Sequence, residues 1–144
     1  MCILHFVKAG LYIMPDRFPP DSPEEWMNRA RSSLALAKNA SPDIYFEDLC
    51  YQAQQAAEKA IKAIFISEKI TFPYIHDITA LLTRLEHGGI TVPGEIRKAA
   101  VLSIYASQTR YPGIEPPLTE EEYKNAICTA ESVIVWAEKI IKSG

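Results

Sequence analysis

Tyr51-Gln52-Ala53-Gln54-Gln55-Ala56-Ala57-Glu58-Lys59-Ala60-Ile61-Lys62-Ala63 is the stretch on which the fold turns. Extended in both directions, it places Phe46, Leu49, Cys50, Ala53, Ala57, Ala60, Ile61, Ile64 and Phe65 on one side of a helix running from Pro42 or Asp43 to Lys69. At 100° per residue these positions span close to half the circumference, wider than the ~100° stripe of a helix with a single neighbour. This helix is therefore expected to touch more than one partner and, at ~1.5 Å per residue, to form a spine roughly 40 Å long.

Toward the N-terminus, the proline-rich stretch 15–23 reads as an extended lead-in. A helix then starts with Ser22 as N-cap, Pro23 at the first helical position and Glu24 and Glu25 where the helix dipole favours acid. Trp26, Ala30, Ser33, Leu34 and Ala37 follow at helical spacing, and Asn39-Ala40-Ser41-Pro42 ends the run. Residues 1–13, ahead of a second plausible start at Met14, are expected to be a loose tail, an upstream extension or a misassigned start.

Toward the C-terminus, Pro73 breaks the central helix, and Ile75, Ile78, Leu81, Leu82 and Leu85 form the next, closed by Gly88-Gly89. Pro93 opens a helix that is apolar nearly all round: Ile96, Ala99, Ala100, Leu102 and Ser103 make one face, while Val101, Ile104 and Tyr105 lie elsewhere, so burial on two sides is expected. The stretch 109–117, with three prolines and a glycine, is a loop. Thr119 and Glu122 have the spacing of a capping box. In the helix they open, Tyr123, Ala126, Ile127, Ala130, Val133, Ile134, Ala137, Ile140 and Ile141 share an apolar arc; Cys128 and Val135 lie outside it and hint at a second contact face. The fold class read from this pattern is all-α: an up-and-down antiparallel four-helix bundle with an additional short helix, over residues 23–144, behind an extended or disordered lead at 1–22. The excess of apolar surface predicts a homodimer.

Apolar residues at 48% and charged residues at 23% of 144 suit one globular domain. A net charge of -3 argues against a surface built for nucleic acid. Cys2, Cys50 and Cys128 are too few and too widely spaced for a disulfide framework or a zinc site, which points to a reducing cytoplasmic setting. No run approaches the ~20 apolar residues of a membrane span.

Taken together, Glu25-Trp26-Met27-Asn28-Arg29-Ala30, the central run 51–63, His76-Asp77, Thr109-Arg110-Tyr111-Pro112 and the closing Ala130-Glu131 and Trp136 resemble the HEPN family over about residues 23–142. The resemblance implies a helical bundle that usually dimerises, often beside a minimal nucleotidyltransferase in a toxin-antitoxin-like pair. Other members are ribonucleases, and some bind nucleotides. The family's ribonucleases use an arginine followed after four to six residues by a histidine, one positioning phosphate and the other moving protons. That motif is missing: the positions after Arg110 hold Glu115, Pro116 and Pro117, and no arginine stands at the required distance before His5, His76 or His87. A non-catalytic module binding a nucleotidyltransferase or a nucleotide is the leading expectation, with no cofactor. A ribonuclease with an atypical site, built from Arg110, Tyr111 and His76, is the alternative.

Arg110, Tyr111, His76, Lys62 and Tyr51 are the five candidates for ligand binding. Arg110 and Tyr111 pair a planar cation with a ring in a loop, which suits phosphate and base recognition, or else a simple ion pair and a packed ring. His76 is a ligand contact or a local hydrogen-bonding and capping residue beside Asp77. Tyr51, Glu58 and Lys62 share a stripe of the central helix, with Gln54 at its edge. Glu58 and Lys62 read as a solvated i,i+4 pair worth about 0.3 kcal/mol, or as part of a polar rim around a groove.

Overall fold

The computed structural model describes residues 13–107, 112 and 116–143. Its helices are α1 (Pro23–Ala37), α2 (Phe46–Ser67), α3 (Ile78–His87), α4 (Gly94–Arg97), which runs directly into a 3₁₀ helix (Lys98–Ala106), and α5 (Glu120–Ser143). Among the described residues there is no strand. Residues 1–12 and the loop residues Arg110 and Tyr111 lie outside the described set.

Local chemistry sets the helix ends. The Ser22 hydroxyl accepts from the Glu25 amide at 3.2 Å, and Pro23 occupies the first turn of α1. At α5 the Thr119 amide donates to Glu122 Oε1 at 3.0 Å while the Glu122 amide donates to Thr119 Oγ1 at 3.1 Å, a reciprocal capping box. The central helix begins at Phe46, later than Pro42 or Asp43. The reason is a turn at Ser41, whose hydroxyl and carbonyl accept from the amides of Asp43 and Ile44, both at 3.1 Å, and hold this segment out of helix. Two helices end in the same device. At α3, Gly89 takes φ +96° and the Ile90 amide reaches back to the Leu85 carbonyl; at α2, Lys69 takes φ 57° and the Ile70 amide reaches the Phe65 carbonyl. Gly88 sits so close to Ile70 that a Cβ there would stand 2.5 Å from Ile70 Cδ1, which brings the two helix ends together.

The packing is organised around α2. Phe46 stacks on Tyr123 at 4.9 Å and the Tyr123 hydroxyl donates to the Ala37 carbonyl, so the end of α1 and the starts of α2 and α5 share one end of the bundle. Lys38 pairs with Glu131 and Arg31 with Glu138, which makes α1 and α5 antiparallel. The other side of α2 is closed by α3 and the 3₁₀ helix, which also run antiparallel: Ser103 accepts from the Ile78 amide and Arg97 pairs with Glu86. Ala53, Ala56, Ala57, Ala60 and Ala63 are fully buried, and these small side chains let the neighbours approach α2 on both sides.

The segment after Pro93 departs from expectation. A turn of 3.6 residues puts Tyr105 off the core face, yet it is only 5% exposed. A 3₁₀ helix has three residues per turn, so Ala99, Leu102 and Tyr105 fall in one line, and that line is the buried one, with Ile96 of α4 buried just ahead of it. Val101 and Ile104 remain exposed within the single chain, as does Val135 of α5.

Candidate functional site

The polar stripe of α2 is not a solvated face. Gln54, Glu58 and Lys62, one turn apart, are all buried, and the segment after α2 folds back over them. Glu58 is the hub. Its Oε1 accepts from Gln54 Nε2 at 2.8 Å and its Oε2 from Lys62 Nζ at 2.8 Å, while His76 Nδ1 lies 3.0 and 3.2 Å from the two oxygens. Gln54 Nε2 also reaches the His76 carbonyl at 3.4 Å. The cluster thus ties the middle of α2 to the start of α3.

Glu58 and Lys62 have side-chain exposures of only 5% and 7%, so the expected surface pair is corrected to a buried one. Burial by itself would raise the Glu58 pKa, but the hydrogen bonds from Lys62, Gln54 and His76 together outweigh it and hold the carboxyl below its ordinary value. Lys62 Nζ also stands 5.4 Å from the centroid of Phe72, and Phe72 packs edge-on against Phe65 and Trp26. The ammonium therefore sits between a carboxylate and an aromatic face.

Of the two roles open to His76 and Asp77, capping belongs to Asp77, whose carboxylate accepts from the Thr79 amide at 2.9 Å. The His76 ring, 69% exposed, turns instead to Glu58. Tyr51 is half-buried on α2, ahead of Gln54. The structure thus brings His76 and Lys62 together through Glu58, while Arg110 and Tyr111 fall outside the described residues. The sequence places Glu58 on the stripe with Lys62 but not at its centre, although the signal is present: Gln54, Glu58 and Lys62 recur every four residues among alanines.

Both ends of this arrangement lie in a region matched by a family model. The HEPN domain model matches residues 23–140, which takes in α1 through nearly all of α5. The chain belongs to the HEPN family. Two solved structures are similar to this HEPN chain over most of its length. The crystal structure of TT1696 from Thermus thermophilus is 29% identical with a TM-score of 0.73, over 82% of this chain and 97% of that one. ST0689, an archaeal HEPN homologue, is 28% identical with a TM-score of 0.68, over 83% of this chain and 98% of its own. No curated protein matches. Among the described residues no group of three or more histidine, cysteine, aspartate or glutamate side chains is arranged to hold a metal, and no helix is long and apolar enough to cross a membrane.

Proposed function

We propose that this HEPN chain is a non-catalytic binding module that engages a minimal nucleotidyltransferase partner, a nucleotide, or both, as one half of a toxin-antitoxin-like pair. The observation that supports it is the state of Glu58. Each of its oxygens already accepts from a buried donor, and its lowered pKa opposes taking up a proton. Such a carboxylate braces the fold and is poorly suited to proton transfer. The missing arginine-histidine motif points the same way.

A second reading has one observation in its favour. His76 is exposed while its Nδ1 is held by a buried carboxylate, which is how a general-base histidine is oriented. An atypical ribonuclease could be built on it, with Arg110 supplying the phosphate contact.

For a nucleotide, the phosphates need cations and the base a flat partner, and Arg110 with Tyr111 is the loop pair whose chemistry supplies both. His76 and Lys62 are second choices, and the burial of Lys62 restricts it to a supporting role. Calorimetric titration with ATP and GTP tests this: the double change Arg110→Ala with Tyr111→Ala removes binding and leaves the thermal midpoint nearly unchanged. Equal binding by the double variant, or none by the wild type at millimolar concentration, returns the weight to the protein partner.

The same module is proposed to work as a homodimer. Val101, Ile104 and Val135 are each more than two-fifths exposed in the single chain, and Cys128 adds to the open face of α5. Sedimentation at micromolar concentration is expected to give a dimer; a monomer at every concentration would remove the proposal.

A further inference from the structure

A cleft of about 390 Å³ opens between the lead segment, α1 and α2, lined by Arg17, Phe18, Pro20, Glu25, Trp26, Arg29 and Lys59. The lead is fastened across it: the Phe18 amide donates to Glu25 Oε1 at 3.0 Å, Trp26 Nε1 to the Pro20 carbonyl at 3.0 Å, and Asn28 Nδ2 to the Asp16 carbonyl at 3.0 Å. Three cations and one carboxylate meet in this space, so the positive charge is not balanced within it.

The carboxylate is already engaged. Glu25 accepts from the Phe18 amide with one oxygen and from Arg29 Nε at 2.7 Å with the other. Among the described residues the terminal amino groups of Arg29 make no hydrogen bond, Arg17 reaches only the Met14 sulfur at 3.9 Å, and Lys59 Nζ bonds the Ser33 hydroxyl at 2.9 Å with no ion pair. Burial, and then the charge of Arg29, hold the Lys59 ammonium below its ordinary pKa. Two cations brought together in a part-buried cleft repel each other, and an anion between them would relieve that repulsion.

We propose that this cleft binds a small phosphomonoester carrying one flat aromatic group, a single ring or a fused base. The dianion would lie among Arg17, Arg29 and Lys59, with guanidinium groups suited to paired phosphate oxygens. The ring would lie against the apolar walls made by Phe18, Pro20 and Trp26. A volume near the lower end of small-molecule sites, roughly 300–1,000 Å³, suits one such group with its phosphate better than a longer chain. None of the residues proposed here belongs to the loop pair Arg110 and Tyr111.

Trp26 is its own reporter. The chain has two tryptophans, so Trp136→Phe leaves Trp26 alone to be followed by fluorescence. Adenosine monophosphate and phenyl phosphate are titrated at low salt beside inorganic phosphate. Both organic phosphates are expected to change the Trp26 signal with saturation, at least about tenfold more tightly than phosphate alone, a gap that reports the ring contact. Lys59→Met, Arg29→Met and the exposed Arg17→Met should each weaken them severalfold, and Arg17→Met, whose side chain pairs with no carboxylate among the described residues, should do so with the thermal midpoint kept. Tighter binding of the nucleotide identifies the natural ligand as a nucleotide, and the reverse order a phosphorylated aromatic compound; either order supports the site. Absence of binding at about 10 mM, equal binding of inorganic phosphate, or unchanged affinity in all three cleft variants overturns it. So does binding that survives Lys59→Met but is lost on the double change Arg110→Ala with Tyr111→Ala, which would assign the ligand to the loop and leave the proposal above standing.

Discussion

Glu58→Gln is expected to lower the unfolding free energy by about 3–5 kcal/mol, the usual cost of removing one partner from a buried ion pair. The amide keeps the volume and can still accept from Gln54, so the loss comes from the charge: Lys62, 7% exposed, would be left as a buried cation facing a neutral amide and the Phe72 ring, with no counter-charge in contact among the described residues. Changing both partners, Glu58→Leu with Lys62→Met, is expected to recover much of the loss, because no uncompensated charge remains. The pH dependence has a definite sign. Glu58 has a lowered folded pKa, so its contribution is fully present above the unfolded carboxylate value of about 4.3 and is lost as pH falls through the folded value. The gap between wild type and Glu58→Gln should therefore narrow on acidification through that window. Urea unfolding at a series of pH values measures it, and a gap that is below about 1 kcal/mol at neutral pH would mean that the pair is solvated after all.

Phe65→Ala is expected to cost about 3–5 kcal/mol as well, for a different reason. Phe65 is fully buried and packs edge-on against Phe72 at 5.7 Å; Phe72 in turn meets Trp26 at 5.8 Å and covers the Lys62 ammonium. Truncation leaves a cavity beneath the ring that closes the polar cluster, so both the transfer energy and the packing around Lys62 are lost. Urea unfolding gives the loss, and an altered Trp26 emission in the folded variant, read in the Trp136→Phe background, reports the displaced Phe72. A loss under about 1 kcal/mol would show that the neighbouring side chains collapse into the space.

The two variants probe what the sequence did not disclose. Helix caps were legible because they are short-range chemistry: Ser22 and the pair Thr119 and Glu122 do what their spacing implies. The arc of α2 was legible too, because helical periodicity alone identifies a wide apolar face. Whether the neighbouring polar stripe was wet depended on the segment after α2, and nothing in the spacing of Glu58 and Lys62 says that His76 and Phe72 will fold over them. Tyr105 was misplaced because the turn tightened from 3.6 to three residues. The cleft was invisible for a topological reason: Arg17, Arg29 and Lys59 come from three separate segments and meet only when the lead and α2 both pack against α1.

The central claim is that this HEPN chain binds without cutting, and incubation with end-labelled generic RNA tests it most directly. The wild type is expected to leave the RNA intact, since the arginine-histidine motif is missing and the carboxylate behind His76 is already saturated by its own neighbours. Cleavage by the wild type that is lost in both His76→Ala and Arg110→Ala would contradict the account and establish the ribonuclease reading.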